Sequence, residues 1–115
     1  MLLKKQEKDN TIEALFDSSN LYKTIYLKDK NIMYIFFKKG GVYSYYNIDN
    51  ELYQIFESAD SQGEFFTRTI KHHKDIYPCS KEFTMKKFEI NDLTEQIKEA
   101  LNESRGDNRS TEEMS

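Results

Sequence analysis

From Tyr22 to Ile48 the chain carries β-branched and aromatic residues in runs broken by short polar stretches, which is the pattern of strands. Three runs stand out: Tyr22 to Leu27, Ile32 to Phe37 and Val42 to Ile48. Lys28-Asp29-Lys30-Asn31 separates the first two, and Lys38-Lys39-Gly40-Gly41 the second and third. The paired glycines supply the φ angles of a tight hairpin turn, so the pattern predicts an antiparallel three-stranded meander.

The period then changes. Leu52, Ile55, Phe56 and Ala59 lie at i, i+3, i+4 and i+7, which lines one helical face, and Asp49 stands at the natural N-cap. A helix over about 50 to 59 follows. Ser61 and Glu64 have capping-box spacing and open a second, shorter helix through Phe65, Phe66 and Ile70 to about His72. Tyr77-Pro78 restricts the backbone and closes the domain in an extended or turn segment. Further on, Asn91 or Asp92 caps a separate helix whose stripe is Leu93, Ile97, Ala100 and Leu101.

The expected fold class is therefore α+β: a three-stranded antiparallel meander followed by two helices packed on one face, with a C-terminal amphipathic helix and a disordered tail. Residues 1–17 read as a flexible leader with one helical turn at Ile12, Ala14, Leu15 and Phe16. The folded domain spans 18–83, the linker and amphipathic helix 84–103, and the tail 104–115.

Composition supports this division. The chain of 115 residues is 37% hydrophobic and 32% charged, with a mean hydropathy of -0.82, lean for a globular protein. Yet all eight Tyr and six of the eight Phe fall within residues 20–83, and disordered sequences are short of such residues. Charge is divided too. Residues 20–83 hold nine basic and eight acidic side chains, residues 84–115 five and eight, and the whole chain is -3. Attraction of the whole chain to nucleic acid or anionic lipid is thus not expected, and any basic patch is local. With no long apolar run and Cys79 as its only cysteine, the chain reads as cytoplasmic and without a disulfide. The excess of Lys, Asn, Ile, Phe and Tyr suits an AT-rich bacterial or phage genome.

Several segments in fixed order resemble the KTSC domain, a small bacterial module named after the C-terminus of some lysyl-tRNA synthetases. They are Ser18-Ser19-Asn20-Leu21, the hairpin Ile35 to Tyr45 with its Tyr-x-Tyr at Tyr43 and Tyr45, and Ala59 to Phe66. Ile70-Lys71 and Tyr77-Pro78 complete the set. The likeness covers about 18–83. His72 to Ile76 is longer than the usual link, and 84–115 lies outside the pattern. What the resemblance implies about function is a suggested binding of RNA.

Two function classes stay open. In the first, the chain is a non-enzymatic module that binds RNA or single-stranded nucleic acid. Lys38, Lys39, Arg68, Lys71 and Lys74 contact the backbone, and Tyr43 or Tyr45, which share one side of their strand, stacks on bases. Positions 68, 71 and 72 share an α-helical face, which suits phosphate contacts. The bland alternatives are that the tyrosines are core residues beneath the helices and that the lysines are a solvated face. In the second class the chain is a protein-interaction adaptor, of the phage or mobile-element kind, acting on a host protein. Leu93, Ile97 and Leu101 dock into the partner's groove and the acidic tail competes for basic surfaces. No cofactor is implied. His72, His73 and Cys79 match no recognised metal spacing, and no Cys-His-acid set, phosphate loop or dinucleotide motif is legible.

Overall fold

The computed structural model describes the backbone of residues 1–114 and the side chains of residues 1–103. The disordered tail expected over 104–115 lies outside the residues described in full.

Six strands form one antiparallel sheet in chain order: β1 (Leu2–Lys8), β2 (Thr11–Phe16), β3 (Leu21–Leu27), β4 (Ile32–Phe37), β5 (Gly41–Tyr45) and β6 (Cys79–Thr84). Helices α1 (Asn50–Ser58) and α2 (Gln62–Phe65) lie between β5 and β6, and α2 runs directly into a π-helical turn over Phe66–Lys71. A long helix, α3 (Lys87–Met114), follows β6.

This overturns the three-stranded meander with two helices on one face. Strands β3 to β5 coincide with the three apolar runs, but three more strands join them. The leader is a hairpin, not a helical turn. Ile12, Ala14 and Phe16 are two residues apart and bury on one face of β2, while Leu15 buries on the other. Asp9 supplies the turn with φ 57, a left-handed conformation that Asp tolerates better than most residues. β6 escapes notice for the opposite reason. It is an edge strand with five of its six residues exposed, so it carries no apolar alternation.

Both faces of the sheet are covered. On one face Ile12, Phe16, Tyr26, Met33 and Ile35 pack against Tyr53 and Phe56 of α1 and against Phe66 and Ile70. Tyr26 stacks on Tyr53 with ring centroids 4.3 Å apart, and its hydroxyl donates to the Ile48 carbonyl at 2.8 Å. On the other face Leu15, Tyr22 and Val42 meet Met85, Leu93 and Ile97. Helix α3 starts at Lys87, earlier than the cap expected at Asn91 or Asp92, because the Lys86 amide donates to the Glu89 carboxylate at 2.9 Å.

The helices on the first face are tied end to end. Asp49 caps α1 by accepting from the Leu52 amide at 2.8 Å, and Ser61 caps α2 by accepting from the Glu64 amide at 3.2 Å. Gln62 is fully buried, and its side-chain amide donates to the Phe56, Glu57 and Ala59 carbonyls at the end of α1. These are carbonyls that a helix end leaves without partners. The sharp corner between α1 and α2 is thereby held by one side chain.

Two stability tests follow from the packing. Leu93 and Ile97 are only 5% and 9% exposed, so Leu93→Ala and Ile97→Ala should each destabilise the domain by about 2–5 kcal/mol in urea unfolding. Near-zero effects would mean that α3 is not part of the fold. Burial also pushes the ionisation of Tyr26, Tyr45 and Tyr53 above the ordinary 10.0, aided at Tyr53 by its hydrogen bond to Glu57. Unfolded tyrosines then release protons at lower pH than folded ones. Their contribution is complete below about pH 10 and is lost as the pH rises further. Thermal melts at about pH 8 and about pH 11 should show a falling Tm, and Tyr53→Phe should reduce the size of that fall.

Candidate functional site

A cleft of about 430 Å³ opens on the α1–α2 face, between β5, β6 and the π-helical turn. Its walls come from five separate segments, and each is held by an identifiable local device.

The first wall is the turn between β2 and β3. Ser18 accepts from the Asn20 and Leu21 amides at 3.1 and 3.4 Å, and the Asn20 carbonyl accepts from the Lys38 amide at 2.9 Å. The Asn20 carboxamide lies flat on α2 at Gly63, where a Cβ would come within 2.3 Å of its nitrogen. Only glycine leaves room for Asn20 there.

The second wall is the hairpin turn that carries Lys38 and Lys39. It closes through Gly40 at φ +106, with the Gly40 amide donating to the Phe37 carbonyl at 2.9 Å. The Gly40 carbonyl accepts from the Met85 amide at 2.7 Å, which ties the turn to the segment after β6. The third wall is Tyr43 on β5. Its ring lies over Gly41, so close that a Cβ at 41 would come within 2.7 Å, and it meets Phe37 edge-on at 5.8 Å.

The fourth wall is the π-helical turn. In an α-helix, residues five apart point about 140° away from each other. The i→i+5 bonding of a π-helix instead stacks them, so Phe66, Thr67 and Lys71 all line the cleft. The fifth wall is β6, where Lys81 sits directly opposite Tyr43. A bulge at the next step places Thr84 opposite Gly41, so Lys81 and Thr84 both line the cleft although they are three residues apart.

The result is four lysines, Lys38, Lys39, Lys71 and Lys81, around an aromatic floor, with no acidic side chain in the lining. None of the four forms an ion pair among the described residues. The Lys38 ammonium also lies 5.7 Å from the centroid of the Tyr22 ring. Uncompensated like charges at this density favour an anion, and the half-buried rings of Tyr43 and Phe37 offer apolar surface beside it, with Phe66 buried beneath them.

Of the residues singled out from sequence, the fold brings Lys38, Lys39, Tyr43 and Lys71 together. Tyr45 is buried beneath Phe66, with ring centroids 5.0 Å apart, and burial raises its ionisation; it is a core residue with no face open for stacking. Arg68 and Lys74 are exposed outside the cleft, because π winding takes Arg68 off the face of Lys71 and Lys74 follows the end of the turn. Leu93 and Ile97 are buried against the chain's own sheet, with Leu101 half-buried beside them. His72 and His73 are exposed, and Cys79 packs half-buried at the core's edge. Among the described residues, no group of three His, Cys, Asp or Glu side chains could hold a metal, and no helix is long and apolar enough to cross a membrane.

Sequence reasoning missed Lys81, Asn20, Phe37 and Phe66 as cleft residues. The signal for Asn20 was its place in a serine-led turn. Lys81 had none, since its role depends on recognising β6.

The fold and cleft define a small α+β domain with a basic, aromatic recess built at one edge of its sheet. The KTSC domain model matches residues 17–73, and the KTSC domain protein of Yersinia pestis, known from a crystal structure, aligns with a TM-score of 0.57 and 30% sequence identity. That alignment covers 62% of this chain and 96% of the other. The chain belongs to the KTSC domain family. No curated protein matches it. The matched segment holds β3 to β5, both helices and the π-helical turn, whereas the β1–β2 hairpin, β6 and α3 lie outside it. Lys81 and Thr84 therefore lie outside the residues that the family model matches.

The contact between Gly41 and Tyr43 is directly testable. Gly41→Ala should leave the domain folded but displace the Tyr43 ring, shifting its aromatic NMR resonances while those of Tyr53 stay in place. Unmoved Tyr43 resonances would show that the ring does not depend on the missing Cβ.

Proposed function

We propose that the chain is a non-enzymatic cytoplasmic module that binds single-stranded nucleic acid in this cleft. Lys39, Lys71 and Lys81 engage phosphate groups, and Tyr43 with Phe37 supplies the surface against which a base rests. The observation that carries this reading is the convergence of Lys39, Lys71 and Lys81 on the half-buried rings of Tyr43 and Phe37, without one acid in the lining, in a chain whose total charge is -3. A net acidic protein gains such a recess only by local concentration of cations.

The test is binding of labelled single-stranded RNA and DNA pools across a salt series. Three phosphate contacts on a single strand predict a slope of log K against log salt of about -2, at about 0.7 for each contact. Lys71→Ala and Lys81→Ala should each weaken binding and flatten the slope by about 0.7, while Arg68→Ala and Lys74→Ala should change little. Absence of binding at low salt, or equal losses from all four substitutions, would defeat the proposal.

A further inference from the structure

We propose that the cleft receives the phosphorylated end of a strand, not an internal stretch; this rests on the nucleic-acid reading above. Three features of the recess point there.

The first is size. Grooves that track single strands accommodate about four or more nucleotides, while a volume of about 430 Å³ falls within the range of pockets that hold one small ligand. The second is the lining. The β2–β3 turn, the β4–β5 hairpin, the π-helical turn and β6 all contribute to one recess beside β5, so a single compact group there meets several segments at once.

The third is charge. An internal phosphodiester carries a single negative charge, whereas a terminal phosphomonoester carries about -1.5 to -2 at neutral pH and has three free oxygens for charge-assisted hydrogen bonds. Lys39, Lys71 and Lys81 reach the recess from three different segments, an arrangement suited to surrounding one compact dianion. The Asn20 carboxamide and the Thr67 and Thr84 hydroxyls remain to contact the terminal sugar and base.

The experiment compares one short sequence in four forms, with a 5′-phosphate, with a 3′-phosphate, with hydroxyls at both ends, and ligated into a circle. A nucleoside monophosphate serves as competitor. One phosphorylated linear form should bind about tenfold more tightly than the hydroxyl form, a difference of about 1.4 kcal/mol, and the circle should bind no better than the hydroxyl form. Lys71→Ala and Lys81→Ala, checked for folding by circular dichroism, should reduce that preference towards unity. Equal binding of circle and phosphorylated strand would overturn end recognition while leaving single-strand binding intact. A mononucleotide that binds as tightly as the phosphorylated strand would overturn it too, by making the ligand a free nucleotide. Failure of every form to bind would overturn both readings.

Discussion

The seat of Phe66 between Phe37 and Tyr45 is the contact on which the recess depends. Its ring centroid lies 5.5 Å from the first and 5.0 Å from the second, so one side chain fixes the start of the π-helical turn on two neighbouring strands. The widened winding then carries Lys71 round to the same side as Phe66. Without that anchor the lysine has no reason to face Lys81 across the cleft. π-helical turns are rare and often mark functional positions, and here the reason is mechanical, since α-helical winding would set Phe66 and Lys71 about 140° apart.

The parts of the fold legible in the sequence were those with a strong period. β3 to β5 declared themselves through β-branched and aromatic runs, and α1 through four apolar positions with an aspartate cap. The parts that stayed hidden lack such a signal for separate reasons. In β1 the side chains after Leu3 are charged or polar and exposed, and Ile12, Ala14, Leu15 and Phe16 are too closely spaced to separate one period from another. β6 is exposed along most of its length and is defined by register with β5, which is a tertiary property. Of the residues that the sequence singles out, Lys38, Lys39, Tyr43 and Lys71 line the cleft, and Tyr45, Arg68 and Lys74 lie outside it. Tyr43 and Tyr45 do share a side, but helices cover that side only as far as Tyr45. Arg68 was assigned by α-helical arithmetic to a segment that is not α-helical.

The family segment and the elements outside it divide the work. Residues 17–73 supply the central strands, both short helices and the π-helical turn. The β1–β2 hairpin extends the sheet at one edge and gives α3 something to rest on, with Leu3 and Leu15 in the second core. β6 extends the other edge and brings Lys81 opposite Tyr43.

The late position of β6 also sets an order in time. Every other wall of the recess is encoded between residues 19 and 71, whereas Lys81 and Thr84 come from the strand that follows both helices. During synthesis the chain emerges from its amino end, so the central sheet and α1 can assemble while the recess still lacks a side. The pairing of β6 with β5 spans more than thirty residues of chain, from Tyr45 to Cys79, a loop whose closure is slow compared with the hairpins that precede it. The recess is thus completed only after the central sheet and both short helices are in place, with α3 alone still to follow in the chain.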